Sequence, residues 1–198
     1  MVSVAAETSV TIGISNRHIH LTREHVEILF GQGHELTPLK ELKQPGQYAA
    51  EETVTIVGPK GAIKGVRVLG PVRSESQVEI SQTDAYKLGV KPPLRDSGHV
   101  EDTPGIEVLG STGRVSLARG VILAARHIHM HTSDAAALGL KDKDRVRVAV
   151  PGERGLVFEN VLIRVSPEYS LEMHVDTDEA NACLLKNGQQ VEVKVNTN

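Results

Sequence analysis

The chain has 198 residues, of which 39% are hydrophobic and 24% are charged, and its formal net charge at pH 7 is −3. A chain of this length and balance can bury a sizeable core, which excludes a disordered protein. The absence of net positive charge excludes a general attraction to nucleic acid or anionic membranes, so an anionic ligand must meet local cations. Apolar runs such as Val121–Ala125 are too short to cross a bilayer.

Short runs rich in Val and Ile, several of them alternating between apolar and polar residues, predict strands along most of the chain. In chain order the predicted strands are Val54–Val57, Gly65–Leu69, Gly105–Leu109, Val115–Ala118, Arg145–Val150, Val157–Val165 and Val191–Val195. The predicted helices are few and short: Thr22–Phe30, Thr83–Leu88, Ser133–Leu138 and Asp178–Leu185. Many short strands separated by Gly and Pro turns predict a mainly β protein built as small barrels or sandwiches.

The sequence contains an internal repeat. Arg17-His18-Ile19-His20 recurs as Arg126-His127-Ile128-His129, and weaker matches relate the segments around Glu79 and His174 to the segment around His129. The repeating unit consists of a strand, a polar cap, a short helix, a turn and another strand. In each copy a residue that can bind a metal ends the strand just before the cap: His20, Glu79, His129 and His174.

His-x-His on a strand places both imidazoles on one face, because side chains alternate with a period of two. Histidine nitrogen and carboxylate oxygen suit zinc, and a catalytic zinc commonly keeps three protein ligands. We therefore predict two metal sites, formed by His18, His20 and Glu79 and by His127, His129 and His174. A single His-x-His is more often a surface or core pair, but two identical strings before a cap favour metal binding. We interpret His131 as a polar neighbour of a cap, and His25, His34 and His99 as solvated.

Two groups of cations are candidates for binding an anion. Arg73 follows a Gly-Pro turn and lies shortly before Glu79, so its guanidinium could hold a phosphate or could be an ordinary surface arginine. The second group flanks a predicted hairpin and consists of Lys60, Lys64 and Arg67. It is either a solvated edge or a site that binds the phosphates of a nucleotide-like cofactor. The loop Arg95–Gly98 is a turn that could also shape a pocket. There is no Walker or Gly-x-Gly-x-x-Gly motif.

Cys183 is the single cysteine, which rules out an intramolecular disulfide and favours a reducing, cytoplasmic compartment. It could be a nucleophile, but it lies in an Ala/Leu-rich helical stretch, so we predict a packing role. Met1–Val10 lacks the charged and apolar segments of a secretory signal.

Several motifs together resemble the PduL-type phosphotransacylases (phosphate propanoyltransferases), from about Thr11 to Val195. The motifs are Arg17-His18-Ile19-His20, Gly70-Pro71-x-Arg73, Gln77-Val78-Glu79-Ile80-Ser81, Pro93-x-Arg95-x-Ser97-Gly98, Ala125-Arg126-His127-Ile128-His129 and Met173-His174-Val175-Asp176-Thr177-Asp178-Glu179-Ala180-Asn181. The resemblance implies two small β-barrel domains, 17–125 and 126–198, with the active site at their interface. The second domain would be completed by a strand at 4–16.

The same resemblance implies two zinc ions held by the six residues predicted above. Arg73 looks like the phosphate-binding arginine of the family. The residues that match family positions contacting coenzyme A are Ile14, Ser15, Asn16, Lys60, Arg67 and Asn181.

The reaction implied by the resemblance interconverts a short-chain acyl-CoA, propionyl-CoA or acetyl-CoA, plus phosphate with acyl phosphate plus coenzyme A. A homodimer is implied as well. Some members carry an N-terminal amphipathic extension that directs them into bacterial microcompartments. Met1–Val10 has no apolar face, so a cytoplasmic protein is expected, with the microcompartment lumen as the alternative. Two other functions fit the ligands: a dinuclear metallohydrolase of a phosphoester or amide, and a non-enzymatic metal-binding or shell-associated module.

Overall fold

A computed structural model describes residues 7–194, with the side chains of all of these except Glu7 and Lys194. The strands are β1 (Glu7–Ser15), β2 (His18–His20), β3 (Pro38–Glu41), β4 (Tyr48–Val57), β5 (Ala62–Gly70), β6 (Gln77–Glu79), β7 (Leu94–Arg95), β8 (Ile106–Leu109), β9 (Arg114–Leu117), β10 (Val121–Ala124), β11 (His127–Met130), β12 (Arg145–Val150), β13 (Leu156–Val165), β14 (Glu172–Asp176) and β15 (Gln190–Lys194). The helices are α1 (Arg23–Phe30), α2 (Gln82–Leu88), α3 (Thr132–Leu138) and α4 (Thr177–Ala182). In the described part, no helix has both the length and the apolar character needed to cross a membrane.

The chain divides into two compact units. The sheet unit is Asn16–Ala124, and the barrel unit combines the described residues up to Ser15 with those from Ala125 onward. The prediction of a mainly β protein with barrel architecture and short helices is confirmed: one unit is a closed barrel and the other is a curled sheet resembling half a barrel. Two predicted strands, 4–16 and Val191–Val195, extend beyond the described residues, at 4–6 and at Val195 respectively.

The sheet unit is a nine-stranded sheet in the order β7-β10-β6-β2-β5-β4-β8-β9, with β3 paired to β4. The short strand β2 lies between β5, to which it is parallel, and β6, to which it is antiparallel. Its central residue, Ile19, is fully buried and packs in the core with residues such as Val66 and Val78. Because Ile19 points into this core, the histidines on either side of it share the opposite face of the strand.

The barrel unit closes in the order β1-β14-β11-β13-β12-β15. Strand β1 is remote in sequence from the others, yet it fills the gap between β14, to which it is parallel, and β15, to which it is antiparallel. Ile128 and Met130 of β11 are fully buried in the core, together with apolar residues of the other five strands. The alternation in β11 therefore again places its two histidines on one common face.

Each helix begins at a polar cap that follows a strand. The side chains of Thr22, Ser81, His131 and Asp176 accept hydrogen bonds from the first free backbone N–H groups of α1, α2, α3 and α4 respectively. His131 is thus itself the cap of α3, and not a neighbour of the cap as we interpreted it. The last helix ends at Ala182, three residues earlier than predicted.

Candidate metal centres

The first group of metal-binding side chains, the sheet cluster, consists of His18 and His20 of β2 and Glu79 of β6. Each offers a ligand atom, and these atoms all lie within 4.8 Å of one another. The antiparallel pairing of β2 with β6 sets His18 directly opposite Glu79, with 3.6 Å between Nε2 and Oε2. All three residues are buried. The structure therefore brings together the first three predicted ligands.

The hydrogen bonds of the sheet cluster leave histidine nitrogen lone pairs that could bind a metal ion. Nδ1 of His18 lies 2.8 Å from the carbonyl oxygen of Asn16, which can only accept, so in the neutral ring Nδ1 carries the proton and Nε2 has the lone pair. Nδ1 of His20 is buried and makes no hydrogen bond of standard geometry with the described residues. A buried imidazole nitrogen in this state is costly unless a ligand such as a metal ion takes its lone pair.

The ionisation of the sheet cluster also suits a cation. Burial, together with the positive charges of His18 and Arg73, holds the pKa of His20 well below its ordinary value, so His20 is neutral. Burial lowers the pKa of His18 as well, but the charge and hydrogen bond of Glu79 outweigh it and raise that pKa. Burial alone would raise the pKa of Glu79, yet His18, His20 and the hydroxyl of Ser97 hold it well below its usual range. The cluster thus presents one carboxylate and at least one neutral imidazole.

A hydrogen-bond network holds the second oxygen of Glu79. Oε1 accepts from Nε2 of Gln77 at 2.6 Å and from the hydroxyl of Ser97 at 2.7 Å. Arg73 donates to the same hydroxyl at 3.4 Å, so Ser97 links the guanidinium to the ligand carboxylate. The loop Arg95–Gly98, whose role the sequence left open, therefore lies against the cluster. Sequence reasoning missed Gln77, although its position two residues before a ligand on one strand was a usable signal.

The second group, the barrel cluster, consists of His127 and His129 of β11 and His174 of β14. Their ligand atoms also lie within 4.8 Å of one another. The Nε2 atoms of His127 and His129 are 3.1 Å apart, and His174 lies directly opposite His127 across the antiparallel pair. Nδ1 of His127 lies 2.8 Å from the carbonyl oxygen of Ala125, two residues earlier. His18 makes the same contact with the carbonyl oxygen of Asn16 in the sheet unit. A buried carboxylate that the sequence did not indicate, Glu172, lies 2.8 Å from Nε2 of His174.

The two clusters have the same construction within their own units. In each, the arginine before the first histidine forms an ion pair with an acidic residue in the first turn of the helix that follows the third ligand. These pairs are Arg17 with Asp84 at 2.7 Å and Arg126 with Glu179 at 2.8 Å. The two copies of the internal repeat therefore share their strand register and their supporting ion pair, as well as their residue types.

Three of the residues predicted to contact coenzyme A lie in the barrel unit. Ile14 and Ser15 are at the end of β1, opposite Val175 and Asp176 of β14. Asn181 is exposed on α4, the helix that continues from β14. These three residues therefore belong to neighbouring elements.

The other three residues predicted to contact coenzyme A lie in the sheet unit and are not all near one another. Arg67 is opposite His18 across β5 and β2, and its guanidinium donates to two backbone carbonyls of β4. Asn16 is adjacent to the same end of β2 and is exposed. Lys60 is at the β4–β5 hairpin, where its side chain lies against Gly89 at the end of α2. About 17 Å of strand separates the start of β5 from Arg67, five residues further on, at 3.3 Å per residue.

The remaining histidines and the cysteine lie outside both clusters. His25 and His34, which we interpreted as solvated, are partly exposed and also have side-chain partners: His25 bonds to the hydroxyl of Ser76 at 2.7 Å and His34 to Glu52 at 2.8 Å. His99 is exposed. Cys183 is buried, as its packing role predicts.

Both donor sets fit a transition-metal ion. The sheet cluster offers two imidazoles and one carboxylate, and the barrel cluster offers three imidazoles, which are ligand sets that zinc accepts with a fourth position left open. Burial of all but the partly buried His174 keeps competing water away from the donors.

Comparison with known proteins identifies the family of the chain. A family model described as phosphate propanoyltransferase matches residues 11–186. A phosphate propanoyltransferase of Thermotoga maritima is 63% identical over 93% of this chain and 89% of its own length. Those of Salmonella typhimurium and Rhodopseudomonas palustris are 57% and 55% identical, over 87% and 93% of this chain and 82% and 81% of their own lengths. The chain therefore belongs to the phosphate propanoyltransferase family.

Proposed function

We propose that this protein is a phosphate acyltransferase that interconverts a short-chain acyl-CoA plus phosphate with acyl phosphate plus coenzyme A. Propionyl-CoA and acetyl-CoA are the proposed substrates. We further propose that the sheet cluster and the barrel cluster each hold one zinc ion and that the two ions act as a dinuclear site. The observation that carries the proposal is the pair of three-donor clusters, each buried or nearly so, in a chain of this family.

The reaction needs a nucleophile, a leaving group and an anion site, but no redox cofactor. An oxygen of phosphate attacks the thioester carbonyl carbon, the C–S bond breaks as the C–O bond forms, and the proton of hydrogen phosphate ends on the thiol. In the reverse direction the thiolate of coenzyme A attacks the acyl phosphate. A bound zinc ion would act as a Lewis acid and would lower the pKa of the thiol.

Arg73 is proposed to bind the phosphate. Its guanidinium keeps its charge at every working pH and can donate two parallel hydrogen bonds to a phosphate. It is half-buried and joined through Ser97 to Glu79, and its charge contributes to the lowered pKa of His20. These contacts support a fixed cation beside the sheet cluster, which is what a dianionic substrate requires.

Arg73→Ala tests this role. We expect kcat/KM for phosphate to fall by about 100-fold or more, since a lost charged donor at a reacting anion costs about 3 kcal/mol, while the metal content stays unchanged. The matched control is Arg119→Ala, because Arg119 forms an exposed ion pair with Glu75 and touches neither cluster. Loss of metal together with activity in Arg73→Ala would mean that Arg73 is structural.

The reaction itself is tested by following thiol release from propionyl-CoA and acetyl-CoA with and without phosphate. The proposal requires that release depends on phosphate and that acyl phosphate accumulates. Thiol release without phosphate would indicate a hydrolase, and no release at all would leave a metal-binding module. Elemental analysis of the purified protein measures the metal and its stoichiometry, and magnetic coupling in the cobalt-substituted protein tests whether two ions form one site.

The contacts with coenzyme A, the assembly and the location follow from the family resemblance. We propose that Ile14, Ser15, Asn16, Lys60, Arg67 and Asn181 contact coenzyme A, and that the segments 17–125 and 126–198, the latter completed by a strand at 4–16, are domains. A homodimer in the cytoplasm, with the microcompartment lumen as the alternative, is proposed on the same basis. The placement of Lys60 at the hairpin makes Lys60→Ala the most informative test among the contacts. An unchanged KM for the acyl-CoA in that variant would remove Lys60 from the set.

A further inference from the structure

Each cluster has a further polar side chain in an equivalent place. Gln77 precedes the ligand Glu79 by two residues on β6, and Glu172 precedes the ligand His174 by two residues on β14. A spacing of two puts each on the same face of its strand as the ligand. Across the antiparallel pairs, Gln77 lies opposite His20, and Glu172 lies opposite His129. The repeat therefore extends to a fourth residue, with a different chemical group in each unit.

The orientation of Gln77 follows from its neighbours. Its amide oxygen accepts from the backbone N–H of Gly98 at 2.7 Å, so the amide nitrogen faces the other way and donates. That nitrogen lies 2.6 Å from Oε1 of Glu79 and 3.0 Å from the hydroxyl of Ser97. Gln77 is almost completely buried, with 2% of its surface exposed. It therefore holds one oxygen of Glu79 and leaves the other turned to His18.

Glu172 accepts a hydrogen bond from its ligand residue, whereas Gln77 donates one. Its Oε2 lies 2.8 Å from Nε2 of His174, and because a carboxylate accepts, Nε2 carries the proton and Nδ1 keeps the lone pair that a metal needs. The space for this contact depends on Gly13 of β1, since a Cβ there would lie 2.8 Å from the His174 ring and 2.9 Å from Oε1 of Glu172. The neighbouring strand is thus shaped around the Glu172–His174 pair.

We infer that Gln77 and Glu172 are equivalent positioning residues, each of which orients the third ligand of its cluster by a hydrogen bond of matched polarity. A carboxylate ligand receives an amide donor, and an imidazole ligand receives a carboxylate acceptor. Hydrogen bonds to metal ligands of this kind change metal affinity by about 10- to 100-fold when they are removed. The inference rests on the proposed function, because it requires the clusters to bind metal.

The test compares metal affinities of four variants of the full chain. Gln77→Met and Glu172→Met keep the length of the side chain and remove its hydrogen bond, whereas Glu172→Gln keeps an oxygen that can accept from His174. Zinc affinity is measured by competition with a chelator, and the absorption spectrum of the cobalt-loaded protein reports the ligand set. Glu52→Gln is the matched control, because Glu52 is a partly buried glutamate that bonds to a histidine outside both clusters.

We expect each Met variant to lose about 10- to 100-fold in affinity at one site and to keep the other. Glu172→Gln should recover most of that loss with an unchanged cobalt spectrum, and Glu52→Gln should bind as the wild type does. Wild-type affinity in both Met variants would overturn the inference, as would a cobalt spectrum of Glu172→Gln that shows a lost ligand. A wild-type protein that binds no metal, or that binds metal without phosphate-dependent turnover, would instead count against the proposed function.

Discussion

The ion pair between Arg17 and Asp84 predicts that replacing its two residues one at a time lowers the free energy of unfolding by unequal amounts. Nε of Arg17 lies 2.7 Å from Oδ2 of Asp84, and the two side chains differ in exposure, with 34% of the arginine and 6% of the aspartate accessible to solvent. Removing the arginine leaves a carboxylate in the interior, whereas removing the carboxylate leaves a guanidinium that water already reaches. We therefore expect Arg17→Met to destabilise the protein more than Asp84→Asn does.

The magnitudes follow from this difference in exposure. Breaking a fully buried pair costs about 3–5 kcal/mol, whereas an exposed pair contributes about 0–1 kcal/mol. Asp84 lies in the first turn of α2, where the helix N-terminus stabilises a negative charge by about 0.5 kcal/mol. We expect a loss of about 2–3 kcal/mol in the free energy of unfolding for Arg17→Met and about 1 kcal/mol for Asp84→Asn. The double variant should lose less than the two losses added together.

The assay is urea unfolding of the metal-free protein at pH 7, with the wild type, both single variants and the double variant. Arg119→Met is the control, since the Arg119–Glu75 pair is exposed on both sides and its loss should cost at most about 0.5 kcal/mol. Equal losses for Arg17→Met and Asp84→Asn, or the larger loss for Asp84→Asn, would refute the reasoning. Additive losses in the double variant would show that the two side chains do not interact.

Three further predictions concern the clusters and the pH dependence of stability. Gly13→Ala should weaken metal binding at the barrel cluster by about 10-fold or more, because its Cβ would lie 2.8 Å from the His174 ring. The same variant should leave metal binding at the sheet cluster unchanged. Wild-type zinc affinity at both clusters would contradict this prediction. Burial alone would raise the pKa of Glu52, but hydrogen bonds from His34 and from the backbone N–H of Thr37 hold it below its ordinary value of 4.5. Its contribution to stability is thus present above about pH 4.5 and lost as the pH falls through the folded-state pKa, so the wild type should lose stability in acid more steeply than Glu52→Gln; parallel pH profiles would exclude this role. Chelation of the metal should lower the melting temperature, and added zinc should restore it. At a zinc concentration 100 times the Kd, binding should add about 2.7 kcal/mol to the free energy of unfolding. A melting temperature insensitive to chelator would mean that no metal stabilises the fold.

Local patterns in the sequence were sufficient to predict the main element types and the residues that form the two clusters. Alternation with a period of two identified the longer strands, such as Arg145–Val150, and placed the histidines of each His-x-His on one face. Some of the shorter strands, such as β7 and β3, were not predicted, because so short a segment shows little periodicity of its own. The early end of α4 was also missed, since Leu184 adopts a left-handed backbone conformation that its residue type does not announce.

The sequence by itself determined which residues can bind metal, through the repeated Arg-His-Ile-His strings and the ligand types at the strand ends. Only the tertiary structure decided which of them meet, since His18 faces Glu79 and His127 faces His174 through antiparallel registers formed by residues far apart in the chain. The tertiary structure likewise decided the contacts of Gln77 with Glu79 and of Glu172 with His174. A backbone hydrogen-bond ladder pairs any residue types, so its register depends on the packing of the whole core and is not encoded in either strand alone.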